Sequence, residues 1–435
     1  MPDRPSLRQR LTARLFGGAS GGVFRGMATL AFGSGIGRVI GIASIPVLTR
    51  LYSPEDFGVL AVFTALVAIL APLVTLRYVL ALPLPRHDGV AMNLLVLSTG
   101  LMLGLTACVA LALWLWGGPL LALVSMDVLA PWWWLIALGV LGTASYEMLT
   151  MWATRRRAYK VIAQTNVTQS IAGAVVKIAM GLAAFQPLGL LVGQVVAQAG
   201  GIGRLLRGFV AEFHASWHHV RASRLRKVTW RHRGFPVWRV PSQFMMIFSM
   251  QGPMLFMAAL YDAETTGQFG LAMMALSVPV NLLGHSAGKA LYGEAALLVK
   301  SSPGSVLKMC RDVQIRLLCI STPLAILLWL FGETLFRFAF GAEWIEAGQY
   351  ASILAVAILF QFTSAPLIQV MNLLSRQSAF LTINVIRLFG LVGIFYISST
   401  MLLEAKSTVM MIAAFSTIFY LFVTLYVMHA LRVSV

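Results

Sequence analysis

The chain has 435 residues, of which 59% are hydrophobic and 11% charged, with a net charge of +18 at pH 7 and a mean hydropathy of +0.82. Soluble globular chains carry roughly 25% charged residues, so this composition excludes a water-coated globule and makes a bilayer the natural solvent. The basic residues lie between apolar runs and not in a domain of their own, which makes them topological signals and argues against a nucleic-acid partner.

In chain order, residues 1–25 carry Arg4, Arg8, Arg10, Arg14 and Arg25. They are expected to form a basic cytoplasmic tail, suited to anionic lipid, and not a cleaved signal, because the apolar run that follows is too long and no small-residue site closes it. A transmembrane helix needs about 20 predominantly apolar residues. Runs of that kind cover 27–49, 57–76, 91–116, 129–152, 161–185 and 188–203 in the first half, the last being short and Gly-rich. The second half supplies 241–260, 267–291, 317–336, 350–373, 380–398 and 409–431. The expected organisation is an all-α integral membrane protein of about twelve spans. Residues 26–210 would form an N-lobe of six, 211–240 a basic cytoplasmic linker, and 241–435 a C-lobe of six.

With the N-terminus in the cytoplasm, 26 of the 33 basic residues fall in cytoplasmic segments and three, Arg50, Arg337 and Lys406, fall outside. That asymmetry is what the positive-inside rule expects, and one miscounted span would have scrambled it. Trp132, Trp133 and Trp134 fall near the outer interface, where indole rings settle. Cys108, Cys310 and Cys319 lie in or beside apolar runs and have neither disulfide nor metal spacing. His214, His218, His219 and His232 sit in the linker with only Glu212 as an acidic neighbour, so a solvated basic loop is expected and no metal site. No cofactor is implied.

The halves repeat each other. Leu51-Tyr52-x-x-Glu55-x-x-Gly58 recurs 209 residues later as Leu260-Tyr261-x-x-Glu264-x-x-Gly267. Each copy joins the first span of its half to the second. Six spans per copy is an even number, so both copies insert the same way up and should be related by an axis along the membrane normal, with a site between them.

The segment 34–86 contains GIGRVIGIASIPVLTRLYSPEDFGVLAVFTAL and then RYVLALPLPR, and ATRRRAYK opens the fifth span. These motifs resemble the Wzx-type polysaccharide flippases, within the superfamily that also holds multidrug extruders and peptidoglycan-precursor flippases. The resemblance implies a V-shaped alternating-access transporter in the bacterial cell inner membrane. Its ligand would be an undecaprenyl-diphosphate-linked oligosaccharide, an O-antigen, exopolysaccharide or capsule repeat unit. It also implies membrane lipid, a glycan polymerase and a chain-length regulator as partners.

Four basic residues fall inside spans: Arg38, Lys177, Lys289 and Arg387. Mid-bilayer charge is costly and usually faces a cavity or a partner. Arg38 lies at the middle of the first span, beyond snorkelling reach of either end; it is expected to face a central cavity, the alternative being an ion pair or a carbonyl contact. Lys177 and Arg387 are the other candidates for a cationic cavity, against snorkelling toward the nearer interface. Arg50, His285 and Lys289 are accessory candidates, Lys289 suiting a snorkelling role and His285 a packing role. Cationic groups complement a diphosphate in a low dielectric. A cation or drug antiporter would instead want a mid-span acid. A membrane glycan polymerase or ligase would present catalytic acids or histidines on a large external loop, and no such loop is expected here. No GxxxxGK[ST], HExxH or nucleophile–base pattern occurs, so the expectation is not an enzyme.

Overall fold

A computed structural model of the chain describes residues 21–280, 284, 287–288, 291, 294–295, 303–371 and 377–433. Among them there is helix and no strand, as backbone hydrogen-bond satisfaction in lipid demands of a chain that closes no barrel. The first bundle holds α1 (Gly21–Leu51), α2 (Pro54–Val74), α3 (Asp88–Ala122), α4 (Trp133–Arg155), α5 (Tyr159–Leu182) and α6 (Leu188–Ala199). Next come α7 (Ile202–Trp217) and α8 (Ala222–Arg231). The second bundle holds α9 (Val240–Leu260), α10 (Ala263–Pro279), α11 (Pro303–Phe340), α12 (Ile345–Met371), α13 (Gln377–Thr400) and α14 (Ala405–Val433). The protein is thus an all-α integral membrane protein of two six-helix bundles.

Ten helical stretches among the described residues are long and apolar enough to cross a membrane. The other two of the expected twelve are α5 and α10. Gln164, Asn166, Gln169 and Lys177 dilute the hydropathy of α5, and α10 shows 17 residues before the description breaks. The helices overrun their apolar windows, because hydropathy marks the hydrocarbon edge while the backbone stays helical beyond it. The sixth span illustrates this: α6 has 12 residues and passes through Gly200 and Gly201 into α7. The segment expected as a basic loop is also helical. In α8 Val228 is buried while Arg224, Arg226 and Lys227 are exposed, an amphipathic pattern hidden beneath the charge. Of the expected tail 1–25, residues 1–20 lie outside the described residues, as do His285 and Lys289, and residues 21–25 are the helical start of α1.

The repeat is structural. Ser53 caps α2: its side chain accepts from the Asp56 amide at 3.3 Å, and Asp56 accepts from the Ser53 amide at 3.0 Å. Asp262, 209 positions on, caps α10 by accepting from the Thr265 amide at 2.8 Å. The Tyr52 hydroxyl donates to the Lys177 carbonyl at 2.7 Å, and the Tyr261 hydroxyl to the Leu403 carbonyl at 2.9 Å. Each motif tyrosine thereby ties the end of its bundle's first helix to a later part of the same bundle.

The two motif glycines face each other across the bundles. A Cβ on Gly58 would land on the Ala263 carbonyl oxygen, and one on Gly267 on the Pro54 carbonyl oxygen, so α2 and α10 touch backbone to backbone. Lipid tails are as apolar as leucine, so burying apolar surface gives no drive for helices to associate; close packing and hydrogen bonds do that work. Both occur here. The Trp344 indole donates to the Thr49 carbonyl at 3.1 Å, Phe57 meets Trp344 edge-on at 4.9 Å, and Arg50 donates to the Ala339 carbonyl at 3.2 Å. Ile45, Leu48, Tyr52 and Leu60 share one buried cluster with Met257, Phe269, Leu276 and Tyr350.

The opposite end of the first bundle is tied differently. Arg77, in a left-handed turn after α2, pairs with Glu147 at 2.9 Å. Arg155 and Arg156 instead pair with Asp88 at 2.7 and 3.0 Å, and Arg156 also with Glu212 at 2.7 Å. Glu147 therefore pairs with Arg77 and not with the nearer-in-sequence Arg155 or Arg156. Those residues lie two or more helical turns along α4, beyond the one-turn spacing at which helix side chains meet.

Candidate functional site: a cationic cavity between the bundles

One face of α1 builds most of the site. Arg38, Gly41, Ile42, Ser44, Ile45 and Leu48 recur at helical spacing and line a cavity of about 300 Å³. α5 adds Ser170, Gly173, Ala174 and Lys177, α6 adds Gln194 and Ala197, α2 adds Phe57 and Leu60, and α10 adds Met274, Ser277 and Val278. The lining therefore comes from both bundles, just inside the glycine contact.

The placement of Arg38 follows from its neighbours. Gly33 packs against Ala163, and Gly37 against Ser170 and Asn166, so this stripe of α1 is pressed onto α5. Asn166 donates to Ser34 at 3.0 Å and accepts from the Tyr146 hydroxyl at 2.8 Å, fixing the same seam. Arg38 lies off that stripe and points its exposed side chain into the cavity. It is nine residues from the start of its candidate span, Thr29–Leu51, and thirteen from its end. At 1.5 Å per residue that is roughly 14 and 20 Å, well inside the hydrocarbon.

Lys177 reaches the cavity through the α5–α6 seam. A Cβ at Gly173 would crowd Ala197, and one at Gly193 would crowd the Lys177 stem, so the helices meet closely enough for the ammonium to donate to Gln194 Oε1 at 2.7 Å. Gln194, Ser44, Ser170 and Ser277 were not singled out from the sequence. The available signal was a polar side chain within an apolar run, most visible for Gln194 in the weakest span. Arg38 and Lys177 are brought together on one cavity; Arg387 is not among its lining. The Arg387 guanidinium lies instead 6.0 Å from the Phe419 ring centre and 5.8 Å from that of Tyr420, within the second bundle. Arg50 sits above the cavity at the bundle contact. Among the described residues, no group of three metal-ligating side chains converges.

The cavity thus offers an anion one guanidinium, one ammonium and the Gln194 amide between largely aliphatic walls, while the Ser44, Ser170 and Ser277 hydroxyls each donate to a carbonyl of their own helix.

Similarity to known proteins fits this geometry. The fold matches the lipid II flippase MurJ in an inward closed conformation, with TM-score 0.69 and 10% identity over 91% of this chain and 86% of that one. It matches an inward-facing multidrug resistance MATE family transporter of the MOP superfamily, with TM-score 0.58 and 15% identity over 93% and 95%. The Vibrio cholerae MATE transporter VcmN in its bent form gives TM-score 0.53 and 14% identity over 98% and 99%. At these identities the likeness is one of fold alone, two bundles of membrane-spanning helices. No curated protein matches the sequence. A family profile described as polysaccharide biosynthesis protein matches residues 47–349, most of the chain and across both bundles, and the protein belongs to that family.

Proposed function

We propose that the protein is a flippase that moves an undecaprenyl-diphosphate-linked oligosaccharide from the inner to the outer leaflet of the bacterial inner membrane, leaving the glycan chemically unchanged. The observation that carries this reading is the pair Arg38 and Lys177 on one cavity between the bundles, in a member of the polysaccharide biosynthesis family with a transporter fold. The N- and C-termini lie in the cytoplasm, by the basic-residue asymmetry. The Gly58–Gly267 contact then closes the outer end. The diphosphate enters from the cytoplasmic side and is neutralised by the guanidinium of Arg38 and the ammonium of Lys177. These groups act strongly because the surroundings are of low dielectric. Rocking of the bundles opens the outer contact and presents the head to the far leaflet. The bound anion reduces the desolvation penalty of the cavity cations and so lowers the barrier to rearrangement.

The test is export of surface glycan in cells lacking their own flippase. Arg38→Ala at normal expression is expected to cut export at least about tenfold, the equivalent of 1.4 kcal/mol, and Arg38→Lys to retain part of it. Full-rate export by both variants would remove Arg38 from the mechanism. Efflux of organic cations by the Arg38→Ala protein, with no defect in glycan export, would favour an antiporter instead.

A further inference from the structure

The basic end of the first bundle holds a separate polar cleft of about 600 Å³, lined by the start of α3, the end of α7 and one face of α8. Arg224, Lys227, Val228 and Arg231 recur there at helical spacing, so three cations of α8 share one wall while Val228 is buried beneath them. Arg226 is exposed on the same helix but is not part of the lining. Neither Lys227 nor Arg231 pairs with a carboxylate among the described residues. The acid in the lining, Asp88, has its two oxygens taken by Arg155 and Arg156 at 2.7 and 3.0 Å, so it does not cancel the α8 cations. The start of α3 has no side-chain cap, and its 35 residues turn the positive end of a helix dipole toward the cleft. Asn93, only 1% exposed, holds the parts together. It donates to the His219 carbonyl at 3.0 Å and accepts from the Arg221 amide at 3.4 Å, which pins the turn between α7 and α8 to α3.

The depth of the cleft decides the occupant. Candidate spans begin at Asp88 and Phe235 and end at Trp217, so the hydrocarbon edge falls at this level. Trp217, Trp230 and Trp238 are 60%, 61% and 78% exposed, as indole rings at a membrane–water interface are. We propose that this cleft binds the phosphate of an anionic phospholipid headgroup, with Lys227 and Arg231 as its cationic contacts and the start of α3 as the opposite wall. A soluble phosphate would meet the same cations, but the exposed indoles set the mouth of the cleft among lipid headgroups, which favours the lipid source. A lipid bound here bridges α8 to α3 and so anchors the segment that joins the two bundles to the first of them. The inference is independent of what the protein transports.

Full-length protein in phosphatidylcholine nanodiscs tests this, with increasing fractions of a phosphatidylglycerol that carries a diazirine beside its headgroup. The probe is expected to label residues 87–93 and 219–231 saturably, and unlabelled phosphatidylglycerol to compete. Lys227→Gln and Arg231→Gln, each at unchanged melting temperature, should raise the half-saturating fraction about fivefold, the effect of one cation lost beside a charged lipid surface. Arg226→Gln removes the same charge from the same helix and should leave that fraction within about twofold of the parent. An equal shift in all three variants would mean a diffuse basic surface and overturn the proposal. Equal labelling of these segments by a phosphatidylcholine carrying the same diazirine would overturn it too. Loss of labelling on addition of inorganic phosphate, but not of chloride at matched ionic strength, would assign the cleft to a soluble anion and exclude the lipid source. Displacement by trace undecaprenyl diphosphate would assign it to a polyprenyl carrier and equally overturn the proposal.

Discussion

A guanidinium roughly 14 Å from the nearer end of its span cannot reach water along its own helix, so its energy is set by what faces it. Arg38 faces a cavity walled largely by aliphatic side chains, and the proposed function requires an anion to bind there, where charges interact more strongly than in water. Lys177 is held differently, by the Gln194 amide oxygen at 2.7 Å. Gln194→Leu leaves that ammonium half-buried without this acceptor, which typically costs about 1–3 kcal/mol. The apparent melting temperature of the purified variant should fall measurably, and Lys177→Met placed on top should restore much of the loss. An unchanged melting temperature in Gln194→Leu would mean that the pair is not a structural unit. Arg38 and Lys177 were legible as residues because a charge inside an apolar run is conspicuous. Gln194 was not, since an amide in a Gly-rich stretch gives no comparable signal. Arg387 was equally conspicuous, yet the rings of Phe419 and Tyr420 take it up inside the second bundle.

Among the elements, α2 and α10 carry the contact between bundles. Their glycines were readable as a repeat, since Gly58 and Gly267 occupy matched places in matched motifs. That the two face each other was not readable, because spans apolar all round their circumference announce no preferred face. A side chain at either position meets a carbonyl oxygen of the partner helix, and backbone cannot move aside as a flexible side chain can. Gly58→Val and Gly267→Val are therefore expected to push the bundles apart at this end. Spin labels on cysteines introduced at Glu55 and Glu264 would record a shift toward longer distances in either variant. A distance distribution identical to that of the parent would show that the contact does not hold the outer end shut. The basic segment 211–240 taught the reverse lesson. Its charge density suggested a loop, but the few apolar residues sit at helical spacing and one face of α8 is buried through Val228.

For the whole molecule, the proposed function makes transport sensitive to the membrane potential. Carrying a diphosphate outward moves negative charge with an inside-negative potential, a gain of about 2.3 kcal/mol per charge per 100 mV if the full field is crossed. In proteoliposomes with the cytoplasmic face inside, an inside-negative potassium diffusion potential should raise the rate at which the glycan head becomes accessible to an external lectin. Reversing the potential should lower it. A rate indifferent to potential would show that the charge is compensated by the cavity cations moving with it, or by a coupled ion.

The sequence by itself determined the solvent, the approximate spans, the sidedness pattern, the duplication and which cations lie deep, because each of these is written locally in hydropathy, charge and spacing. Only the tertiary structure decided that Arg38 and Lys177 share a cavity while Arg387 does not. It alone decided that the duplicated glycines press backbone against backbone, and that three cations of α8 gather on one cleft. Those are facts about how helices are rotated and paired, and in hydrocarbon that choice rests on small residues and single hydrogen bonds between segments far apart in the chain, not on any gradient of polarity along one of them.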